Sequence, residues 1–237
     1  MDGARWFAAV ARELAEQPDR DAVVLRLLDL VAGATGCSAA AIAHLSPKGD
    51  LFYGHATDEE LNAKIAAIST GTKEGVAWQA LHERGLVVVD DLATEERWPR
   101  YTAKMRRRTS VRSVLGHCLV VDNLVLGAML LYSPSPHFFT PSIRQFTAVY
   151  ADHAAIALSR VAEHDRAEHL ERALASNREI GVAIGILMSR YGLTEHAAFD
   201  LLRVTSQHHH RKLREIAAET IFTGELPPDP VAARANA

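Results

Sequence analysis

Apolar positions recur at helical spacing through the first part of the chain. Trp6, Val10 and Leu14 mark a helix over residues 5–16. After Gln17-Pro18-Asp19 a second helix runs to about Gly33, with Val23, Val24, Leu27, Leu28 and Val31 on one face and Gly36 beyond its end. The period then changes. Runs 39–45 and 51–55, joined by Ser46-Pro47-Lys48-Gly49-Asp50, read as a β-hairpin. Residues 58–68 return to helical spacing. The unit 71–91 reads as a turn, a short helix over 76–83 and a strand over 86–89. A polar stretch, 93–110, contains Trp98-Pro99-Arg100-Tyr101. Strands 113–121 and 124–132 follow, with Asp122-Asn123 as their turn. Thr140-Pro141 then provides a cap and a first helical position.

From Thr140 to about Asn177 neither proline nor glycine intervenes after Pro141, which predicts one long helix. It is apolar at first (Ile143, Phe146, Val149, Ile156, Leu158). From Arg160 to Arg172 it is mostly charged, with a thin stripe at Val161, Ala167 and Leu170. Residues 177–221 read as three short helices. Ile180, Ile184, Leu187, Met188 and Tyr191 line the first; Ala197, Ala198, Leu201, Leu202 and Thr205 the second; Leu213, Ile216, Ala217 and Ile221 the third. Gly192 and Thr194 are the cap candidates between the first two, and Gly224 with Pro227-Pro228 stops the last. Gly181 and Gly185 inside the first helix each cost roughly 1 kcal/mol against alanine. The expected compensation is close approach of another backbone, with Ala183 and Gly185 as the packing motif.

The succession predicts an α+β fold: an antiparallel sheet covered by helices, joined by a long helix to an all-α three-helix bundle. The expected limits are an N-terminal helix over 1–19, a sheet domain over 20–160, a helical linker over 161–176, the bundle over 177–224 and a disordered tail over 225–237.

Two stretches resemble known families. The order Arg178-x-Ile180-x-x-Ala183-x-Gly185-Ile186-Leu187-Met188, then Ala198-Phe199-x-x-Leu202-Arg203, then Ser206-Gln207 and Arg211-Lys212-Leu213-Arg214-x-x-Ala217 is similar to an ANTAR domain. That resemblance implies a three-helix module that binds RNA hairpin loops and prevents transcription termination. Arg178, Arg211, Lys212 and Arg214 would then contact phosphates or loop bases, with Arg190, Tyr191 and the histidines, His210 among them, as further candidates. Two positions depart from the pattern: Ile184 stands where a lysine is usual, and His210 where an asparagine is usual. The first removes a candidate phosphate contact and the second alters a candidate base or cap contact.

Residues 20–160 are similar to a GAF domain at Gly75-x-x-x-x-Ala80, Val87-Val88-Val89-Asp90-Asp91-Leu92, Val111-Arg112-Ser113 and Gly127-Ala128-x-x-x-Tyr132 before Phe139. This resemblance implies a sensory or dimerisation module, with an unknown small-molecule ligand between the sheet and its covering loops.

Composition is that of an ordinary globular protein, 48% apolar and 23% charged over 237 residues. No apolar run approaches the roughly 20 residues of a membrane span, so a cytoplasmic protein with no membrane partner is expected. Cys37 and Cys118 stand far apart and suit a reducing compartment. Charge changes the picture more. Residues 177–221 hold six Lys/Arg against five Asp/Glu, a small excess for a nucleic-acid binder. An RNA role there rests on clustering at 210–214, and a homodimer paired along the 140–177 helix would double the patch. Residues 97–112 hold seven basic side chains (Arg97, Arg100, Lys104, Arg106, Arg107, Arg108, Arg112) and no acid. Two readings stand: a site for an anionic ligand or RNA phosphates, or a solvated helix-loop paired with Glu95, Glu96 or other nearby acids.

His208, His209 and His210 do not suggest a metal site, because consecutive helical residues point about 100° apart. No phosphate-binding glycine loop, nucleophile elbow or zinc-protease motif is present. No catalytic residue, metal or cofactor is expected. A DNA-binding three-helix regulator and a GAF-based redox enzyme are the alternatives.

Overall fold

The computed structural model describes residues 9–228 apart from 11, 15, 18 and 47, and describes backbone alone at 164, 165, 168 and 169. The chain divides into two compact units, Met1–Glu163 and His164–Ala237.

In the first unit, Ala9, Val10 and residues 12–14 are helical. Then come α1 (Arg20–Thr35), β1 (Ala39–Leu45), β2 (Leu51–Ala56), α2 (Glu59–Thr72), α3 (Val76–Glu83), β3 (Leu86–Val89), α4 (Pro99–Arg108), β4 (Ser113–Val121) and β5 (Leu124–Ser133). Helix α5 (Pro141–Tyr191) gives its first part to this unit and its remainder to the second, where α6 (Glu195–His208) and α7 (Leu213–Thr223) follow.

The five strands form one antiparallel sheet in the order β2-β1-β5-β4-β3. Both faces are buried, and the two-residue period of a strand sorts its side chains between two cores. Ala39, Ala41, Ala43, Val114, Cys118, Ala128, Leu130 and Tyr132 enter the core beneath α2, α3 and α4. Ala40, Ile42, Leu115, Leu119, Met129 and Leu131 enter the other, beneath α1, the start of α5 and Val10 and Leu14. Each of the Val, Leu, Ile and Met side chains among them contributes about 1.5–3 kcal/mol on full burial.

Local signals set most boundaries. The Asp19 carboxylate accepts from the Ala22 amide at 2.9 Å to start α1, and Gly36 at φ 73° ends it. Asp122 and Asn123 both have positive φ (48° and 68°), the geometry of a type I′ turn between β4 and β5. On α5 the Tyr150 hydroxyl donates to the Leu27 carbonyl of α1 at 2.6 Å.

Three features differ from the sequence reading. The polar stretch 93–110 contains α4, whose Tyr101, Thr102 and Met105 are buried while its cations face outward. The expected linker and the first short helix of the bundle are both part of α5, 51 residues long. In the segment expected to begin the tail, Leu226 packs against the second unit's core and Pro227 is buried; residues 229–237 lie outside the described residues.

Candidate nucleic-acid interface

The second unit is built on a small core. Ala183 and Leu187 of α5, Ala198 and Leu202 of α6, and Ile216 and Ala217 of α7 are fully buried, with Ile180, Ile184, Leu193, Leu213 and Leu226 around them. Thr194 caps α6, its hydroxyl accepting from the Ala197 amide at 3.3 Å, and Gly192 at φ 64° turns the chain after α5. Of the packing motif, Ala183 is buried and Gly185 is not. A Cβ at Gly185 or Gly181 would meet nothing within 4 Å. Gly185 lies in an open groove with Val182, Ile186, Ser189, Arg190 and Gly224. The expected close approach at Gly185 is thus corrected: within this chain the contact is made at Ala183, because the core face of α5 runs through Ile180, Ala183, Ile184 and Leu187. Met188 and Tyr191, assigned to that face by spacing, are exposed.

The turn between α6 and α7 explains the residue at 210. The His210 amide donates to the Gln207 carbonyl at 3.2 Å and the Arg211 amide to the Ser206 carbonyl at 3.1 Å. This is a Schellman-type ending with His210 at its left-handed position, φ 51°. Glycine or asparagine suits that conformation best, and histidine tolerates it better than most residues. The Ser206 hydroxyl donates to the Arg211 carbonyl at 2.6 Å and fixes the turn. The three histidines diverge: His208 and His210 are exposed, while His209 is half-buried with its Nε2 closed off and without a partner. Among the described residues no group of three or more His, Cys, Asp or Glu side chains is placed to hold a metal ion.

The six Lys/Arg residues of 177–221 fall into two sets. Arg211 bonds Glu219 at 2.6 Å and lies 3.8 Å from Glu215; Arg190 pairs with Glu225; Arg203 pairs with Asp200 at 3.2 Å. Arg178, Lys212 and Arg214 are exposed and, among the described residues, have no acidic partner. Lys212 occupies the N-cap of α7, Arg214 lies in its first turn, and no side chain caps that terminus. Two cations therefore stand at the positive end of a helix dipole, beside amides with no capping acceptor. That arrangement disfavours the free helix and favours an anion. Sequence spacing gave no sign of Phe222, 92% exposed at the end of α7, a ring of the kind that stacks on unpaired bases.

In the first unit the basic run 97–112 divides similarly. Arg97 is held by Glu95 (2.6 and 2.9 Å) and Arg112 by Asp91 in a bidentate pair (2.6 and 2.9 Å). The Glu74 carboxylate accepts from Arg100 Nε at 2.7 Å and from the Arg100 and Tyr101 amides at the start of α4. These hydrogen bonds depress the carboxyls: the Arg112 guanidinium holds Asp91 down to about 2, and Arg100 and Arg97 lower Glu74 and Glu95. Lys104, Arg106, Arg107 and Arg108 are exposed and, among the described residues, have no acidic partner.

Beneath α4, the phenols of Tyr53, Tyr101 and Tyr132 lie near one another, and burial pushes all three well up. Gly75 (φ 115°) admits the Tyr101 ring, which a Cβ would approach to 2.7 Å. Cys37 and Cys118 are buried in the cores on opposite sides of the sheet, and burial raises both thiols.

Comparison with known proteins places two domains on this geometry. The model of the GAF domain matches residues 17–159 and that of the ANTAR domain residues 168–221. No curated protein sequence matches the chain. Among solved structures it is similar to the GAF domain of an Acinetobacter phosphoenolpyruvate-protein phosphotransferase (13% identity, 69% of this chain and 97% of that one, TM-score 0.53). It is similar to the corresponding GAF domain from Coxiella burnetii (13%, 72% and 98%, 0.53). A free methionine-R-sulfoxide reductase from Neisseria meningitidis, solved with its substrate, is also similar (16%, 67% and 89%, 0.53). At these identities the likeness is one of fold.

Proposed function

Because this chain belongs to the GAF domain family and carries an ANTAR domain behind that domain, we propose that it is a cytoplasmic transcription antitermination regulator. It binds hairpin-loop RNA through its C-terminal three helices, under the control of an unidentified small molecule at the GAF domain. It performs no reaction of its own: the two thiols are buried apart, with no means of forming a redox pair. Among the described residues no helix is long and apolar enough to cross a membrane.

One observation carries the reading. Among the described residues, Lys212 and Arg214 have no acidic partner at an uncapped helix N-terminus, and Arg178 is a third such cation. Phosphates satisfy such groups, and loop bases stack on exposed rings such as Phe222. Arg211 and Arg190 support the module through their acidic partners. His210 sets the turn that presents Lys212. The working unit is a homodimer: α5 leaves Val149 and Ile156 exposed in the first unit and Leu170 and Leu174 in the second, more apolar surface than a solitary helix needs.

Competition binding tests the proposal. A fluorescent hairpin RNA bound by the full chain is expected to be displaced by unlabelled hairpin and not by duplex DNA of equal length. Equal displacement by duplex DNA, or no RNA binding, refutes it. Sedimentation of the full chain as a monomer refutes the dimer.

A further inference from the structure

We infer that the exposed face of α4, in the GAF domain, is a second nucleic-acid contact surface that binds the RNA backbone outside the hairpin loop. This rests on the RNA reading above and adds to it a surface that the ANTAR domain does not contain.

Among the described residues, the seven cations of 97–112 divide into paired and unpaired sets. Arg97, Arg100 and Arg112 are consumed by Glu95, Glu74 and Asp91, each in a short directed bond. These pairs hold the helix and its flanks in place. Glu74 also receives the first amides of α4 and so is fully engaged. Lys104, Arg106, Arg107 and Arg108 remain, exposed on a helix that contains no acid. Lys104 lies three and four residues before Arg107 and Arg108, the spacing at which like charges on a helix repel. The helix dipole rewards the cations of the last turn, but it gives no reason for the crowding of Lys104 against them.

The face also discriminates among polyanionic partners. An interfacial membrane helix inserts large apolar side chains beneath its cations. The apolar residues of α4, Tyr101 and Met105, are instead almost wholly buried, and the segment 97–112 exposes no large hydrophobic side chain. Protein–protein interfaces draw on aromatic and apolar anchors and are poor in charge at their centre, and this face offers no such anchor. Clustered guanidiniums with a lysine and no apolar anchor match a phosphate backbone, which they contact without reading sequence. The need is plain as well. Of the six Lys/Arg residues in 177–221, three are paired with carboxylates, leaving Arg178, Lys212 and Arg214 for a polyanion.

The test uses the full chain and two RNAs: a minimal hairpin and the same hairpin with single-stranded flanks. Affinity is measured across a salt series for three proteins. They are the unmodified chain, a Lys104→Gln/Arg107→Gln/Arg108→Gln variant, and an Arg178→Gln/Lys212→Gln/Arg214→Gln variant. Loss of three single-strand phosphate contacts is expected to lower the salt slope for the flanked RNA by about 2 in the α4 variant. A variant with Arg107→Lys and Arg108→Lys, which keeps the charge, should restore the slope and serves as the control for folding. An unchanged slope in the α4 variant, with the ANTAR variant impaired, overturns this inference and leaves the functional proposal standing. No RNA binding by the unmodified chain overturns both. Loss of binding to anionic phospholipid vesicles in the α4 variant, with RNA affinity intact, assigns the surface to a membrane and overturns the inference.

Discussion

Arg211 and Lys212 are adjacent, both basic and both in the motif that resembles an RNA-binding family, yet they should respond oppositely to replacement. Arg211 bonds Glu219 at 2.6 Å with the two side chains 38% and 35% exposed, and Glu215 lies farther off at 3.8 Å. A pair this accessible is partly screened by solvent, so its loss costs about 0.2–1 kcal/mol. In a unit of this size, 1 kcal/mol moves the melting temperature by roughly 4–8 °C. Arg211→Ala is therefore expected to lower the ANTAR domain's melting point by a few degrees, less in high salt, and to leave the salt slope of hairpin binding nearly unchanged. The Lys212 side chain has no acidic partner among the described residues and sits at the positive end of α7. Lys212→Ala should hold or raise stability by a few tenths of a kcal/mol and lower the salt slope by about 0.7–0.9. Thermal melts and anisotropy titrations at several salt concentrations measure both quantities. Equal slope losses with unshifted melts would refute the division of labour.

Glycine replacements should differ in sign. Gly116→Ala places a Cβ 2.5 Å from Val76 Cγ1 and should cost roughly 1–3 kcal/mol. Gly185→Ala meets open space and should stabilise its helix by about 1 kcal/mol; denaturant unfolding followed separately for each unit checks both. His210→Gly removes a left-handed strain of about 1 kcal/mol and should raise the denaturation midpoint at constant m-value. A drop in RNA affinity without that rise would make His210 an RNA contact instead. Asp91 has its carboxyl depressed from 3.8 to about 2 by Arg112. Its contribution is thus fully present above its ordinary value and lost as pH falls towards 2. Asp91→Asn should melt below the unmodified chain at neutral pH, with the gap closing by about pH 2; a gap constant with pH would contradict this.

The sequence by itself determined the features that depend on contiguous residues. Period three-to-four runs placed the buried face of α1, and two apolar runs either side of a turn placed β4 and β5. Asp122-Asn123 specified their turn, and Gly192 and Thr194 the break between α5 and α6. These are legible because caps, turn conformations and side-chain periods are fixed by residues a few positions apart. The α+β architecture followed from their order, and the motifs at 178–217 and 75–139 pointed to the two families whose models match.

Tertiary structure alone decided which charges are free. Arg211 and Lys212 look alike in sequence, and only the folding of α7 brings Glu219 to the first and, among the described residues, no acid to the second. The same holds for Arg100, taken by Glu74, against Arg107, which no described acid takes. The bounds and buried face of α4 were not legible because its buried set is just Tyr101, Thr102 and Met105, and five cations in ten residues mask so short a stripe. Gly185 reads as a packing residue from its neighbours, yet the face of α5 that meets the core carries Ala183 and leaves Gly185 in open space. Availability to a partner is what remains of a side chain after the fold has used it, and that remainder depends on residues far away in the chain.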